Sequence, residues 1–271
     1  MQREKSRRGG VRVGGYLMGV LDHRHALVTG GGTGIGAAIA KVLAGAGAAV
    51  SLVGRRKEPL EALAAQLPKA SAVVADITRE ADCTAMVEAA RAAHGPIDIV
   101  IANAGVAPSA PAGKTSLALW EETIGVNLTG SFLTVRSALA DVTRAKTNGR
   151  IVFISSTAGL KGYAYVSAYC AAKHGVVGYA RALSVELAPT GVTVNAVCPG
   201  FTDTPLLAGA ADNISAKTGR SADEARATLA KDNPHGRLIT PEEVASTVLW
   251  LCSPEAGSIN GQAIAIAGGP A

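Results

Sequence analysis

Seven short runs of apolar, β-prone residues recur along the chain from His25 onward, and all but the last alternate with stretches rich in helix formers. The runs at 25–29, 49–54, 71–75, 98–102, 150–155, 192–197 and 263–266 predict strands. The intervening stretches near 35–46, 57–67, 79–94, 116–146, 163–188 and 241–252 predict helices. Strands that are apolar at nearly every position must be covered on both faces, which is the situation of a parallel sheet with helical crossovers. The rhythm therefore predicts an α/β fold, a single domain built on a doubly wound, seven-stranded parallel sheet. With 271 residues, 48% of them hydrophobic, one such core is affordable and no linker marks a second domain. The segment 201–240 breaks the rhythm with Pro205, Gly209, Gly219 and Pro234 and one helical stretch near 221–232; its length predicts a lid over a binding site.

The charge excess of +5 sits mostly at the amino-terminal end. Residues 1–17 hold Arg3, Lys5, Arg7, Arg8 and Arg12 against Glu4 alone, and with Gly9, Gly10, Gly14 and Gly15 they read as a disordered basic tail ahead of a domain over 18–271. The body is nearly neutral and has few aromatics, three Phe, five Tyr and two Trp, so nothing interleaves charge and rings for nucleic-acid binding. The longest weakly charged region, 26–54, is interrupted by Lys41 and many glycines and does not read as a membrane span. Cys83, Cys170, Cys198 and Cys252 lie far apart without metal-ligand spacing, so reduced thiols in a cytoplasmic protein are expected, with no metal and no disulfide framework.

Directly after the first strand comes a glycine loop, Gly30-Gly31-Gly32-Thr33-Gly34-Ile35-Gly36, opening onto a helix. Missing Cβ atoms let a pyrophosphate approach the backbone, and the free N–H groups and positive end of the helix stabilise its charge. The second strand ends in Arg55-Arg56, where an acid would select a ribose diol. A guanidinium there can grip a 2′-phosphate bidentately, so NADP(H) is expected over NAD(H). Asp76, with Ile77 beside it, follows the third strand and either accepts from an adenine amino group or caps the helix near Thr78. Asn103 ends the fourth strand and can brace its neighbours, while Ala104 and Gly105 leave room for a flat ring.

Tyr169 and Lys173 are four residues apart on a predicted helix and so share a face. The nearby ammonium is expected to lower the tyrosine from its usual value near 10. Ser156 ends the fifth strand, beside which that helix returns. The three groups can then converge: Ser156 on a substrate carbonyl, Tyr169 as proton donor, Lys173 on the nicotinamide ribose. Asn127, polar in an apolar helical stretch, either relays protons through water to Lys173 or satisfies a helix kink.

In the order and spacing of these residues the chain resembles the short-chain dehydrogenase/reductase family over essentially 22–269. The resemblance implies a Rossmann sheet, an Asn127–Ser156–Tyr169–Lys173 tetrad, a homotetramer, and a nicotinamide flanked by Pro199, Gly200 and Thr202. One departure is Ala102, where many members carry a second Asn. The stretches from Tyr169 to Gly178 and from Asn195 to Phe201 look most like ketoreductases of polyketide synthesis and 3-hydroxyacyl-CoA dehydrogenases. The implied substrate is a small-molecule ketone or alcohol, or an acyl-CoA ester. Leu160, Tyr163, Val106, Phe201, Leu206 and Leu207 suggest an apolar pocket, which disfavours sugars. The competing readings are a non-catalytic NAD(P)-binding regulator, against which the intact tetrad argues, and a sugar or steroid alcohol dehydrogenase.

Overall fold

The computed structural model describes residues 12, 13, 16, 17 and 19–270. The expected disordered tail lies almost wholly outside the described residues; of it only a short antiparallel pairing of Arg12–Val13 with Tyr16–Leu17 is described.

The seven predicted strands all form, within two residues of their expected ends: β1 His25–Thr29, β2 Ala49–Gly54, β3 Ala70–Val74, β4 Ile99–Ala102, β5 Arg150–Ile154, β6 Thr193–Pro199 and β7 Ala263–Ile266. They assemble in the order β3-β2-β1-β4-β5-β6-β7, and every neighbouring pair is parallel. Successive residues point to opposite faces, so β1 sends Ala26 and Val28 into one apolar layer and Leu27 into the other. The first layer is closed by α1 (Gly34–Gly45) and α9 (Pro241–Cys252), through Ile39, Leu43, Val244 and Val248. The second is closed by α3 (Glu80–His94), α5 (Gly130–Arg144) and α6 (Ser167–Leu187), through Met86, Leu133, Val142, Val176 and Val177. Helix α2 (Lys57–Ala64) covers the edge beside β2 and β3. Because the chain winds away from β1 in both directions, the crossovers diverge at the carboxyl ends of β1 and β4 and leave a crevice there.

Three local expectations are corrected. The single helix expected over 116–146 is interrupted: α4 (Leu117–Ile124) passes into a π-helical turn, Gly125–Thr129, before α5 begins. Helix α6 starts at Ser167 and not at 163, because Tyr165 adopts φ +67°, a left-handed conformation that no helix continues. The segment 201–240 holds two helices, α7 (Pro205–Thr218) and α8 (Ala222–Lys231), and not one. Pro205 is no obstacle at the first helical position, where its missing N–H has no intrahelical partner. Thr204 caps α7 by accepting from the Leu207 N–H, and Gly219 at φ +73° ends it. Leu207, Ala211, Ala225 and Leu229 join these two helices in a small apolar core of their own.

Candidate active site

The crevice is lined by the glycine loop and β2 terminus, by the ends of β4 and β5, and by α6, with the start of α7 lying against Gly34 of the loop. Its floor is locked at the point where the strand order reverses. Thr29 Oγ1 accepts the N–H groups of Asn103 and Ala104 at 3.0 and 3.2 Å, and Asn103 Nδ2 donates to the Thr29 and Gly30 carbonyls at 2.8 and 3.3 Å. The bracing role read for Asn103 is thus what its side chain does.

Gly30, Thr33, Gly34 and Ile35 line the crevice, while Gly36 does not. A Cβ on Gly36 would stand 2.2 Å from the Gly30 carbonyl oxygen, so this glycine lets α1 close onto the loop. Gly30 sits at φ +65°, and a Cβ there would reach within 2.8 Å of Asn103 Nδ2. No side chain caps the first turn of α1 and no acid lies in it, so its positive end is left to an anion. Arg55 and Arg56 line the same edge, both exposed, with Asp76 and Ile77 opposite. Asp76 Oδ1 accepts from the Thr78 N–H and hydroxyl at 3.0 and 2.8 Å, which holds its carboxyl below the usual range. These bonds close a turn ahead of α3, whose N-cap is Arg79 without a side-chain cap, so Asp76 does not cap the helix; it lines the crevice. An uncapped helix start and a glycine cradle fit the pyrophosphate of a dinucleotide.

Tyr169 and Lys173 both project from α6 into the crevice. Lys173 is 4% exposed; its ammonium donates to the Ile154 carbonyl at 2.8 Å and lies 5.6 Å from the Tyr169 ring centroid. Burial brings the lysine down to about 8. Burial also pushes the Tyr169 phenol up to about 12, against the opposing hydrogen bond from Ser156. The expectation that the neighbouring ammonium would depress the tyrosine is thus overturned. Removing the phenolate from water costs more than its surroundings return, and Tyr169 is a neutral phenol at physiological pH. Ser156 faces Tyr169, and its Oγ accepts from the Ala158 N–H at 3.1 Å.

Asn127 is fully buried on the π turn. Its Nδ2 donates to the Val106 and Thr123 carbonyls, both at 2.9 Å, and its Oδ1 accepts from the Val106 N–H at 3.3 Å. Of the two readings of Asn127, the structural one describes its side chain, which ties the π turn to the segment after β4. Gly105 is obligatory in that corner, since a Cβ would stand 2.7 Å from Asn127 Oδ1.

Pro199, Gly200 and Thr202 are not among the lining residues. Thr202 is buried, its hydroxyl donating to the Gly200 carbonyl at 3.0 Å, and a Cβ on Gly200 would meet Asn233 Oδ1 at 2.3 Å. Thr204, Pro205 and Leu206 line the crevice nearby; Leu206 was read as pocket-lining, while Thr204 and Pro205 were missed, although a Thr-Pro pair is a helix-start signal that could have found them. Ser155 was missed as well. It lines the crevice, and its buried hydroxyl donates to the Lys173 carbonyl at 3.0 Å. Outside the crevice, the Tyr163 hydroxyl and Thr157 Oγ1 are hydrogen-bonded at 2.8 Å, and the Tyr163 ring meets Phe201 edge to face at 5.9 Å. Leu207, read as pocket-lining, instead belongs to the small α7–α8 core.

The chain is similar to known proteins over most of its length. Residues 24–215 match the family described as short chain dehydrogenase. The cis-4-hydroxycyclohexanecarboxylate dehydrogenase of Sinomonas cyclohexanicum is 40% identical over 251 residues, covering 91% of this chain and 96% of that protein. The 3-oxoacyl-[acyl-carrier-protein] reductase of Chlamydia muridarum is 35% identical over 257 residues, covering 93% of this chain and 99% of that one. Among solved structures, a variant of the actinorhodin polyketide ketoreductase with NADPH superposes with a TM-score of 0.87 at 36% identity, covering 91% of this chain and 96% of that chain.

Proposed function

Because this chain belongs to the short chain dehydrogenase family, and so is an NAD(P)-dependent oxidoreductase acting between a ketone and a secondary alcohol, we propose that it works with NADP(H) on bulky hydrophobic ketones, 3-oxoacyl thioesters first among them. The observation that carries this reading is that Tyr169 and Lys173 line a crevice shared with an uncapped helix start, with Ser156, itself outside the lining, hydrogen-bonded to Tyr169. When bound, the nicotinamide exchanges a hydride with the carbonyl carbon. Ser156 donates a hydrogen bond to the carbonyl oxygen and fixes its position. Tyr169, a neutral phenol with its value near 12, gives that oxygen its proton as negative charge develops. Lys173, held by strand β5, orients the nicotinamide ribose, and Asn127 holds the π turn and Val106 in place behind it.

The preference for the phosphorylated cofactor rests on Arg55 and Arg56 at the end of β2, where no acid stands. The substrate class rests on Leu206, 49% exposed on the crevice lining, and on the names of the similar proteins. A bulky cyclic ketone is the second reading, favoured by the likeness to the cis-4-hydroxycyclohexanecarboxylate dehydrogenase. A cytoplasmic homotetramer completes the proposal; among the described residues no helix is long and apolar enough to cross a membrane. The test is kcat/KM for acetoacetyl-CoA, longer 3-oxoacyl-CoA esters, cyclic and aryl ketones and a keto-sugar, each with NADPH and NADH. Thioesters reduced no better than small unactivated ketones would refute the acyl assignment.

A further inference from the structure

We infer that the hydrogen bond between Asn213 and Ser109 is a clasp across the substrate mouth that selects ketones by size; the inference rests on the ketone-reducing reading above. Asn213 Nδ2 donates to Ser109 Oγ at 3.0 Å, joining the lid helix α7 to the segment 103–111 that follows β4. Neither partner lines the crevice, but each belongs to a segment that does. The segment 103–111 contributes Asn103, Ala104, Gly105 and Val106 to the lining, and α7 contributes Pro205 and Leu206.

The Ser109 side rests on a fixed support. Val106 is held at its N–H and its carbonyl by Asn127, and the Ala110 N–H donates to the Tyr165 carbonyl at 2.8 Å. Tyr165 accepts that bond from a backbone at φ +67°, a conformation costly for a tyrosine, so the local structure is holding it there. Ser109 therefore presents its hydroxyl from a strap pinned at both ends.

The Asn213 side is the more independent of the two. Helix α7 shares a four-residue apolar core with α8, separate from the two layers that flank the sheet. Leu206 and Asn213 are seven residues apart, two helical turns, so they lie on the same face about 10 Å apart along the axis. The face that lines the crevice at Leu206 is thus the face that reaches Ser109 at Asn213. A neutral amide-to-hydroxyl bond between half-buried partners changes an equilibrium by about fivefold, enough to bias the width of the mouth and too little to seal it. Compact ketones profit from the closed width; bulky ones must open it.

The test compares the wild type with Ser109→Ala, Asn213→Ala, the double variant, and Asn213→Asp. The aspartate keeps the clasp, because its carboxylate accepts the Ser109 hydroxyl proton. With saturating NADPH, kcat/KM is measured over ketones from cyclopentanone and acetoacetyl-CoA to bicyclic and long-chain 3-oxoacyl substrates. Each alanine variant should lose up to about fivefold on the compact ketones, through KM, and should gain on the bulky ones, which no longer have a clasp to open. The double variant should lose no more than either single variant, and Asn213→Asp should keep the wild-type selectivity. Additive losses, or an equal loss on every ketone, would overturn the clasp. Amide hydrogen exchange over 205–218 reads the same contact without turnover: it should quicken in both alanine variants and not in Asn213→Asp, and unchanged exchange would count against the clasp. A wild type that reduces none of these ketones would refute the functional reading alone.

Discussion

Ser155 and Lys173 are joined through the backbone of one and the side chain of the other: Ser155 Oγ donates to the Lys173 carbonyl at 3.0 Å, while the Lys173 ammonium donates to the carbonyl of Ile154, one residue earlier on the strand. Two successive residues at the end of β5 thus hold both ends of one helical residue. The distance from Tyr169 to Ser156 depends on this seam. Ser155→Ala should lower Tm by ~3 °C, the scale of one buried hydrogen bond in a chain of this size. It should lower kcat about fivefold with little change in the KM for NADPH. Thermal melting and steady-state kinetics check both, and an unchanged kcat would show that the seam is purely structural.

Replacing Tyr169 by Phe should leave cofactor affinity nearly intact and lower kcat by roughly 10²-fold or more, the scale of a lost general acid. In the wild type, the pH profile of kcat/KM for reduction should be flat below neutrality and fall as pH rises through about 8, where Lys173 loses its proton and its charge. Tyr169, up near 12, stays protonated across that range and contributes no limb of its own. A profile that instead falls on the acid side, between pH 6 and 7, would sink this assignment.

NADPH should be used in preference to NADH, and Arg55→Ala should weaken NADPH far more than NADH. Kinetics with both cofactors decide it, and a wild type that works better with NADH would remove the phosphate-clamp reading of the β2 terminus.

Acid should destabilise the fold from the end of the sheet opposite the crevice. His25 is 2% exposed, its Nδ1 paired with the Gly95 carbonyl and its Nε2 with Ser51 Oγ, both at 2.9 Å. Ser51 continues to Ser71 at 3.1 Å, and Ser71 to His94 at 3.1 Å, while Asp98 accepts the His25 backbone N–H. Burial and the neighbouring His94 hold His25 below its usual value, against the opposing effects of the Gly95 carbonyl and Asp98. As pH falls through about 6.5, the unfolded histidine takes a proton that the folded one refuses, so stability present above that pH is lost below it. Tm should fall between pH 7 and 5, with a shallower slope in His25→Gln. Parallel slopes would locate the acid lability elsewhere.

Most of the sheet was legible because strands covered on both faces need apolar residues at nearly every position, and His25–Thr29 or Arg150–Ile154 leave few other options. The glycine loop, Asn103 and the Tyr169–Lys173 pair were legible because their spacing is tied to local geometry. What escaped depends on surroundings. Nothing in a 3.6-residue period marks the extra residue of a π turn, so 116–146 read as one helix. Pro205 and Gly209 read as breakers, although one occupies a permitted first position and the other is carried by the α7–α8 core. The direction of the Tyr169 shift was missed because spacing reveals the ammonium nearby and not the dryness of the site.

The π turn at Gly125–Thr129 has a consequence for how this scaffold can change over generations. A π turn holds one residue more than the α-helix would, so flanking turns keep their faces when that residue is gained or lost. Excising a single codon from this stretch would give an unbroken helix that still buries Thr123 on one side and Leu133 on the other. It would also withdraw the Asn127 amide from Val106 and slacken the wall behind Lys173. One in-frame deletion there should therefore give a folded chain that keeps the dinucleotide crevice and turns over more slowly, a different route to a sensor than loss of Tyr169 itself.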